Sequence, residues 1–250
     1  MLAELKMKLD VDQRDFGYYQ SSNMQGVLME QIAPEYAERL HEQGLKPYSQ
    51  YIIVGKEEKV WVIKTYTKEA YENIIVPLLD GKFTAYTINK KQMHVTICEK
   101  TVRTVQQQAL LEEFYSDSYN RYLNLEFLTP TAFKSNGKYM IMPDMRYIYQ
   151  SLMNKYSAAS ANMQLYDDDT LEQLTTNSQI VRYRLRSTFF PMEGVKIPAF
   201  QGEIGVKVTG TTTMAKYAKL LVRFGEYSGV GIKTSVGMGA LKIGKEHLIS

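Results

Sequence analysis

The sequence predicts an α+β fold built from two ferredoxin-like units of the βαββαβ type in tandem. Apolar residues alternate between the two-residue period of strands and the longer period of helices, and the resulting order β-α-β-β-α-β occurs twice. The length of 250 residues suits one large domain or two of ordinary size. We therefore expect an N-terminal domain at residues 1–115 and a C-terminal domain at residues 116–250.

The first half of the chain contains the elements of one such unit. An apolar residue at every second position from Leu5 to Leu9 is typical of a half-buried strand. The capping-box pattern at Ser22–Gln25 predicts the start of a helix, and Pro34 suits the first turn of another. The remaining predicted elements are strands at Gln50–Val54 and Lys59–Tyr66, a helix from Thr67 to about Leu79, and further strand from Phe83 to Arg103.

The second half repeats this order. The pair Asn136-Gly137 between two strand-like runs predicts a tight hairpin turn. Asp144 and Asp167 are each placed to cap a helix. The remaining predicted elements are strands at Leu123–Phe133, Tyr139–Met142, Ile180–Phe190, Ala199–Val208 and Ala240–Ile243, with a helix at Thr211–Phe224.

Composition excludes several classes of protein. With 44% hydrophobic and 23% charged residues, the chain is close to the globular average, which excludes wholesale disorder, collagen-like structure and coiled coil. The single cysteine, Cys98, excludes an intrachain disulfide framework. No apolar run approaches the roughly 20 residues that span a bilayer. We therefore expect a soluble, cytoplasmic protein.

Basic residues are concentrated toward the C-terminus, although the net charge is only +3. From Val181 to Ser250, eleven Lys and Arg residues stand against four Asp and Glu residues. Such a basic portion is typical of a protein that binds a polyanion. Charged runs also simply keep a surface hydrated, so the asymmetry alone leaves both interpretations open.

The three histidines differ in their predicted positions. His94 lies on the polar face of a strand, and His247 is three residues from the end. His41 lies in the last turn of a predicted helix, just before Gly44, where the helix dipole favours a protonated imidazole. A group that titrates near neutrality can act as a general acid or base. The alternative is that His41 only terminates its helix favourably.

The segment Gly229–Gly239 contains four glycines in eleven residues, so its backbone can adopt unusual dihedral angles and lie against a ligand. Those glycines are Gly229, Gly231, Gly237 and Gly239. At its centre, Lys233, Thr234 and Ser235 offer one charge and two hydroxyls to phosphate oxygens. The alternative is an ordinary connecting loop with structural glycines.

The alternation at Ile180–Phe190 places Arg182, Arg184 and Arg186 on one face of a strand. This row predicts either a polyanion contact or a solvated sheet surface. Asp167–Asp169 could hold a metal ion, but it is better explained as the charged start of a helix. With one cysteine and dispersed histidines, no transition-metal site is legible, so we expect any phosphoester chemistry to proceed without a metal or other cofactor.

Several longer blocks of the sequence resemble one family. They are Leu125–Lys134 with Gly137–Tyr139, Pro143–Arg146, Gln150–Tyr156, Leu220–Thr234, Gly26–Leu28 and Leu40–Glu42. Together they closely resemble the CRISPR-associated endoribonucleases of the RAMP superfamily that process precursor CRISPR RNA, in particular the type III-associated members. The resemblance spans nearly the whole chain.

The resemblance implies a tandem ferredoxin-like fold similar to RNA-recognition motifs, and metal-independent cleavage within each repeat. In that reaction the 2′-hydroxyl attacks the adjacent phosphate and leaves a 2′,3′-cyclic phosphate and a 5′-hydroxyl. His41 matches the catalytic histidine of the family, with its role as acid or base open. Lys46 resembles the supporting lysine, although it lies one residue nearer the histidine than in some members. The catalytic tyrosine that some relatives carry on the first helix is absent here, so that role is either vacant or filled elsewhere, with Tyr48 or Ser49 as the candidate.

The resemblance also implies partners. The glycine-rich segment would hold the RNA backbone near the cut through Lys233, Thr234 and Ser235. Further RNA contacts are expected at Lys134, Arg146 and the arginine row. The expected partners are the repeat of precursor CRISPR RNA and, transiently, a type III effector complex, with the chain a monomer or homodimer and no membrane involved. The alternative function is a non-catalytic RNA-binding subunit of a CRISPR effector complex.

Overall fold

The structure of the chain is a computed structural model that describes residues 1–11, 16–42, 44–55, 58–88, 92–115, 120–160, 167–192 and 194–244. These residues divide into two compact units. Unit 1 consists of Met1–Val105 with the short segment Lys233–Gly237, and unit 2 consists of Gln106–Ile232 with Met238–Ser250. His247 lies outside the described residues.

Unit 1 is built on an antiparallel sheet with the strand order β2-β3-β1-β5-β4 among the described residues. Its elements are β1 Leu2–Asp10, α1 Ser21–Gln31, α2 Pro34–His41, β2 Tyr48–Val54, β3 Lys59–Thr65, α3 Lys68–Ala70, a π-helical turn Tyr71–Ile75, α4 Val76–Leu78, β4 Ala85–Ile88 and β5 Met93–Val105. Strands β1, β2, β3 and β5 with the helices between them form the predicted ferredoxin-like unit, and β4 adds an edge strand.

Local sequence explains most of these elements. Leu5, Met7 and Leu9 are buried at alternate positions of β1, as their spacing predicted. Thr67 caps α3, since its side chain accepts a hydrogen bond of 3.1 Å from the backbone N–H of Ala70. The capping box predicted at residues 22–25 is wrong. The helix begins one residue earlier, at Ser21, whose hydroxyl instead accepts a hydrogen bond from a backbone N–H of β2.

Unit 2 contains a second antiparallel sheet, with the order β11-β6-β10-β9 among the described residues, and a separate β7–β8 hairpin. Its elements are α5 Gln107–Tyr115, β6 Tyr122–Thr131, β7 Phe133–Ser135, β8 Lys138–Met140, α6 Met145–Ala159, α7 Asp168–Thr176, β9 Ser178–Met192, β10 Val195–Val208, α8 Thr212–Ser228 and β11 Leu241–Ile243. Strands β6, β9, β10 and β11 with their helices form the second ferredoxin-like unit, so the predicted fold class is confirmed.

The start signals predicted in this half are present in the structure. Asn136 and Gly137 have φ angles of 47° and 78°, as a primed hairpin turn requires. The carboxylates of Asp144 and Asp167 accept hydrogen bonds from the first backbone N–H groups of α6 and α7. Thr211 caps α8 in the same way. Within the described ranges, no helix is long and apolar enough to cross a membrane.

Helix α5 belongs to unit 2, so the two units divide between Val105 and Gln106 and not between residues 115 and 116. The physical reason is side-chain packing that the local sequence does not display. Glu113 on α5 forms ion pairs with Lys219 and Arg223 on α8, at 2.9 and 3.1 Å. These contacts, together with buried Leu110, hold α5 against unit 2.

Candidate functional site

His41 is the last residue of α2 and is exposed. Tyr36 and Leu40 are buried on the same helix and anchor the helix end that carries the imidazole. Lys46 donates a hydrogen bond from Nζ to the backbone oxygen of Glu42, the residue that follows His41. A lysine is favourable at this place because the last carbonyls of a helix carry partial negative charge. The end of α2 therefore presents an imidazole and, close by in the chain, an ammonium group.

Tyr66 holds the backbone that carries Lys46. Its hydroxyl donates to the carbonyl oxygen of Lys46, and its N–H donates to that of Pro47 at 3.2 Å. The side chain is only 2% exposed, and burial raises the pKa of its phenol above the usual value, so it remains a donor at neutral pH. Sequence reasoning missed this anchor, since nothing in the local pattern distinguishes Tyr66 from other strand tyrosines.

Tyr48, the first residue of β2, is fully buried. Burial raises the pKa of its phenol above the usual value, although the nearby side chains of Gln25 and Ser235 act in the opposite direction. Its hydroxyl has no hydrogen bond of regular geometry within the part of the chain that the structure describes. Ser49 is also buried, at 3% exposure. The chemical role expected for Tyr48 or Ser49 therefore has no accessible hydroxyl in this structure.

The first half of the glycine-rich segment is held tightly in unit 2. Gly231 donates its N–H to the hydroxyl of Ser151 at 2.8 Å, and Ile232 donates to the carbonyl of Ala132 at 3.0 Å. Gly231 has φ of 77°, and a Cβ atom there would lie 2.4 Å from the Ala132 carbonyl oxygen. Only glycine fits this combination of left-handed backbone and close approach.

Lys155 on α6 supports the same stretch of backbone. It is 3% exposed, and its Nζ donates to the carbonyl oxygens of Ser228, Gly229 and Gly231 at 3.3, 3.1 and 3.3 Å. Burial lowers the pKa of its ammonium group to about 7. In the sequence analysis Lys155 is only one residue of the block Gln150–Tyr156, and its role in shaping this loop was not predicted.

The central part of the glycine-rich segment, Lys233–Gly237, belongs to unit 1 and packs against β2 and α1. It forms a short 3-10 turn at Thr234–Val236. Lys233 precedes the turn in the left-handed conformation, with φ of 55°, and its side chain is exposed. Of the two predicted phosphate-binding hydroxyls, that of Ser235 is half-buried, and that of Thr234 belongs to a residue only 6% exposed. Lys233 and Ser235 are thus the more accessible members.

Two further predicted RNA contacts lie in unit 2. Lys134 on β7 and Arg146 at the start of α6 are both exposed. Their chain neighbours Phe133 and Tyr147 stack, with 5.9 Å between ring centroids, so β7 packs against the first turn of α6. Lys134 lies two residues after Ala132, whose carbonyl accepts the N–H of Ile232 in the glycine-rich segment.

The arginine row lies on the edge strand β9, where residues of both strand faces are largely exposed. Arg182 and Arg186 donate to the side-chain oxygens of Asn124 and Gln201, at 2.8 and 2.9 Å. Arg184 and Arg186 line a shallow groove of about 460 Å³ that also contains two glutamates. The guanidinium groups are therefore partly engaged, and the surface is of mixed charge.

No group of three or more His, Cys, Asp or Glu side chains that could hold a metal ion occurs among the described residues. Asp167 acts as a helix cap, as expected, and hydrogen bonds from Thr170 keep the pKa of its carboxyl below the usual range. The structure thus gives the predicted aspartate run a structural explanation.

Comparison with known proteins identifies the family. The model of the family "CRISPR-associated endoribonuclease Cas6" matches residues 125–241. A CRISPR-associated endoribonuclease Cas6 of Streptococcus thermophilus is 39% identical over 218 residues, which cover 87% of this chain and 88% of that protein. A protein of the same description from Mycobacterium tuberculosis is 32% identical over 246 residues, covering 97% of this chain and 78% of its own.

The fold gives the same result. A solved Cas6 product complex superposes with a TM-score of 0.80 at 19% identity and covers 98% of this chain and 99% of that one. Fold and sequence together define a CRISPR-associated endoribonuclease. The chain belongs to the Cas6 family of CRISPR-associated endoribonucleases, which process CRISPR RNA.

Proposed function

We propose that this chain cleaves precursor CRISPR RNA within its repeats by metal-independent attack of a 2′-hydroxyl on the adjacent phosphate. The observation that carries the proposal is the packing of Lys233–Gly237 in unit 1, against β2 and α1. Strand β2 follows directly on the loop that begins after His41 and carries Lys46. An exposed imidazole and two lysines are thereby gathered in one unit, and RNA phosphates are the natural ligand for such a set.

The proposed reaction needs no oxidant, reductant or water. The 2′-oxygen loses its proton and bonds to phosphorus, the bond from phosphorus to the 5′-oxygen breaks, and the 5′-oxygen takes up a proton. The products are a 2′,3′-cyclic phosphate and a 5′-hydroxyl. His41 transfers one of the two protons, while Lys46 and Lys233 offset the negative charge on the pentacoordinate phosphorus.

The proposed partner is the repeat RNA itself. Proteins of similar fold have been solved as a Cas6 product complex and as a Cas6 substrate-mimic complex. We extend this kind of ligand to the present chain, with Lys134 and Arg146 as additional phosphate contacts. The proposal includes transient delivery of the product to a type III effector complex by a monomer or homodimer, which co-purification and sedimentation analysis test.

The proposal is tested by incubating the protein with cognate repeat RNA in EDTA, beside an RNA that carries a 2′-deoxy nucleotide just before the cut. We expect cleavage in EDTA, a cyclic phosphate identified by mass spectrometry, and no cleavage of the 2′-deoxy RNA. Loss of activity in EDTA would overturn the metal-free mechanism, and cleavage of the 2′-deoxy RNA would overturn the 2′-hydroxyl attack. Tight binding without any cleavage would instead indicate a non-catalytic RNA-binding subunit.

The role of His41 is tested by the variant His41→Ala. Removing a proton-transfer group lowers the cleavage rate by on the order of 10²–10⁴ and leaves repeat binding nearly intact. His94→Ala is the matched control, because His94 is an exposed histidine of β5 in the same unit, and its rate should not change. An equal loss of binding in His41→Ala would mark a structural histidine. A substrate with a sulfur leaving group at the 5′ position restores the variant only if His41 is the acid.

A further inference from the structure

Gln50 is a fully buried glutamine in the middle of β2, and all of its polar atoms are used. Its Nε2 donates to the carbonyl oxygen of Ser21 at 2.9 Å and to that of Ser235 at 3.1 Å. Its Oε1 accepts the indole N–H of Trp61 at 2.6 Å. A glutamine amide has two N–H donors and one carbonyl acceptor group, and each of these is satisfied here.

The two donors connect segments that are far apart in the sequence. Ser21 begins α1, whereas Ser235 lies 185 residues from Gln50, in the 3-10 turn of the glycine-rich segment. Because Gln50 is buried, a lost bond leaves a carbonyl or amide group unpaired and out of reach of water, which is costly. The amide therefore holds the 3-10 turn at a defined place on unit 1.

The position of Ser235 also determines that of Lys233. Val236 donates its N–H to the carbonyl of Lys233 at 3.1 Å, so Lys233 and Ser235 belong to one closed turn. At the near end of β2, Lys46 is only four residues from Gln50, and Tyr66 anchors its backbone. Strand β2 thus contains the anchor of the proposed RNA-binding turn, and Lys46 lies two residues before the strand begins.

We propose that Gln50 is the positioning residue that sets the turn carrying Lys233 and Ser235 relative to the end of α2 carrying His41 and Lys46. This inference rests on the proposed function. Gln50 does not touch RNA in this arrangement, since its amide is enclosed. Its effect on the reaction is to keep the phosphate contacts and the proton-transfer group in register, and displacement of a reacting group by about 1 Å can cost on the order of 10²-fold in rate.

The inference predicts different results for two neighbouring substitutions. Gln50→Met keeps the approximate shape but removes all three hydrogen bonds, including the one to the turn. Trp61→Phe removes the third bond and leaves space around a fully buried side chain, but it keeps both bonds donated by Gln50. Both variants are expected to lose stability, but only Gln50→Met releases the turn. Comparing their cleavage rates therefore separates a structural role from a positioning role. Gln50→Glu retains the oxygen that accepts from Trp61. It replaces Nε2 by a carboxylate oxygen, which repels the carbonyl oxygens of Ser21 and Ser235 and so also disturbs the turn.

The experiment measures single-turnover cleavage of cognate repeat RNA at saturating protein, the affinity for 2′-deoxy repeat RNA, and the folded fraction by circular dichroism in urea. We expect the single-turnover rate constant of Gln50→Met and of Gln50→Glu to fall roughly ten- to a hundred-fold per folded molecule, with affinity lowered less than tenfold. Trp61→Phe should stay within about threefold of the unchanged protein.

Equal single-turnover rate constants for Gln50→Met and Trp61→Phe per folded molecule would overturn the inference. A loss confined to RNA affinity would overturn it as well. Wild-type protein assayed in parallel distinguishes this failure from that of the proposed function. If the wild type binds the repeat but does not cleave it, the proposed function fails. If the wild type cleaves and Gln50→Met cleaves equally well, only the role of Gln50 fails.

Discussion

Lys155 illustrates how much a single buried residue contributes to the shape of this molecule. Its three contacts, all 3.1–3.3 Å long, are to carbonyls at the end of α8 and in the following loop. The three N–H groups of an ammonium ion match three acceptors, and the negative end of the helix dipole favours the positive charge there. Burial acts against the charge and lowers its pKa to about 7.

Because burial lowers the pKa of Lys155 in the folded protein, we expect the free energy of unfolding to depend on pH. Between pH 7 and about 10, the unfolded chain holds a proton at Lys155 that the folded chain has lost, so the free energy of unfolding rises with pH by up to about 1.4 kcal/mol per unit. Lys155→Met should lose this rise in urea unfolding at pH 7, 8 and 9. Tyrosines contribute little at pH 7–9, because an unfolded phenol titrates only near pH 10 and burial raises the folded pKa further, as at Tyr149.

The matched control is Lys216→Met, which removes a half-buried lysine of α8 and should keep the wild-type slope. Coincident slopes for the wild type and Lys155→Met would show that the buried amine does not change its proton binding on folding. The comparison uses slopes, so a general loss of stability in either variant does not affect its interpretation.

At the scale of elements, the glycine-rich segment is a rigid connection between α8 and β11. Its ends are fixed by backbone hydrogen bonds, such as that from Val230 N–H to the carbonyl of Gly239 at 2.8 Å. Its glycines are needed because the backbone turns through left-handed conformations beside other backbone. The glycines therefore allow the backbone of this segment to adopt one particular conformation that other residues would not.

Gly231→Ala tests this requirement. The added Cβ would meet the Ala132 carbonyl oxygen at 2.4 Å in a left-handed backbone, so we expect a loss of about 2 kcal/mol or more in unfolding free energy. Gly26→Ala is the control, because Gly26 lies within α1 and a Cβ there meets nothing within 4 Å. It should stabilise the protein by about 0.5–1 kcal/mol. Urea unfolding that shifts both variants in the same direction would contradict this account.

At the scale of the whole molecule, the positive charge near the C-terminus is not one uniform patch. On β9, Arg182 and Arg186 donate to neighbouring side-chain amides, and Arg186 shares a groove with glutamates. Lys233, in contrast, is exposed in a turn that belongs to unit 1. The overall charge asymmetry is typical of a polyanion-binding protein, but it does not show which cations would face a polyanion.

Salt dependence separates these cations. If Lys233 contacts a phosphate, Lys233→Ala should reduce the slope of log K against log salt concentration by about 0.7, since one counterion fewer is released from single-stranded RNA. The measurement uses uncleavable 2′-deoxy repeat RNA between about 50 and 200 mM salt. Lys68→Ala, which removes an exposed lysine paired with Glu72 on another part of unit 1, should leave the slope unchanged. An unchanged slope in Lys233→Ala would remove that residue from the phosphate contacts.

Sequence reasoning was most accurate where structure depends on near neighbours. The caps at Thr67, Asp144 and Asp167 and the turn at Asn136-Gly137 lie where their local patterns predicted. The capping box near Ser22 failed because Ser22 already lies inside α1, which follows directly on a 3-10 turn at Tyr18–Gln20. The burial of Tyr48 was equally invisible, since the packing that encloses it includes a turn nearly two hundred residues away.

The sequence by itself determined the order of strands and helices, the two ferredoxin-like units and the candidate residues of the site, because periodicity, caps and turns depend on contacts over a few residues. Only the tertiary structure decided which candidates are accessible and what supports them. The contacts of Gln50 with Ser235 and of Lys155 with the glycine-rich segment join residues 185 and about 75 positions apart. Such pairs form only when the folded chain brings distant backbone carbonyls together, and a carbonyl group has no signature in the sequence.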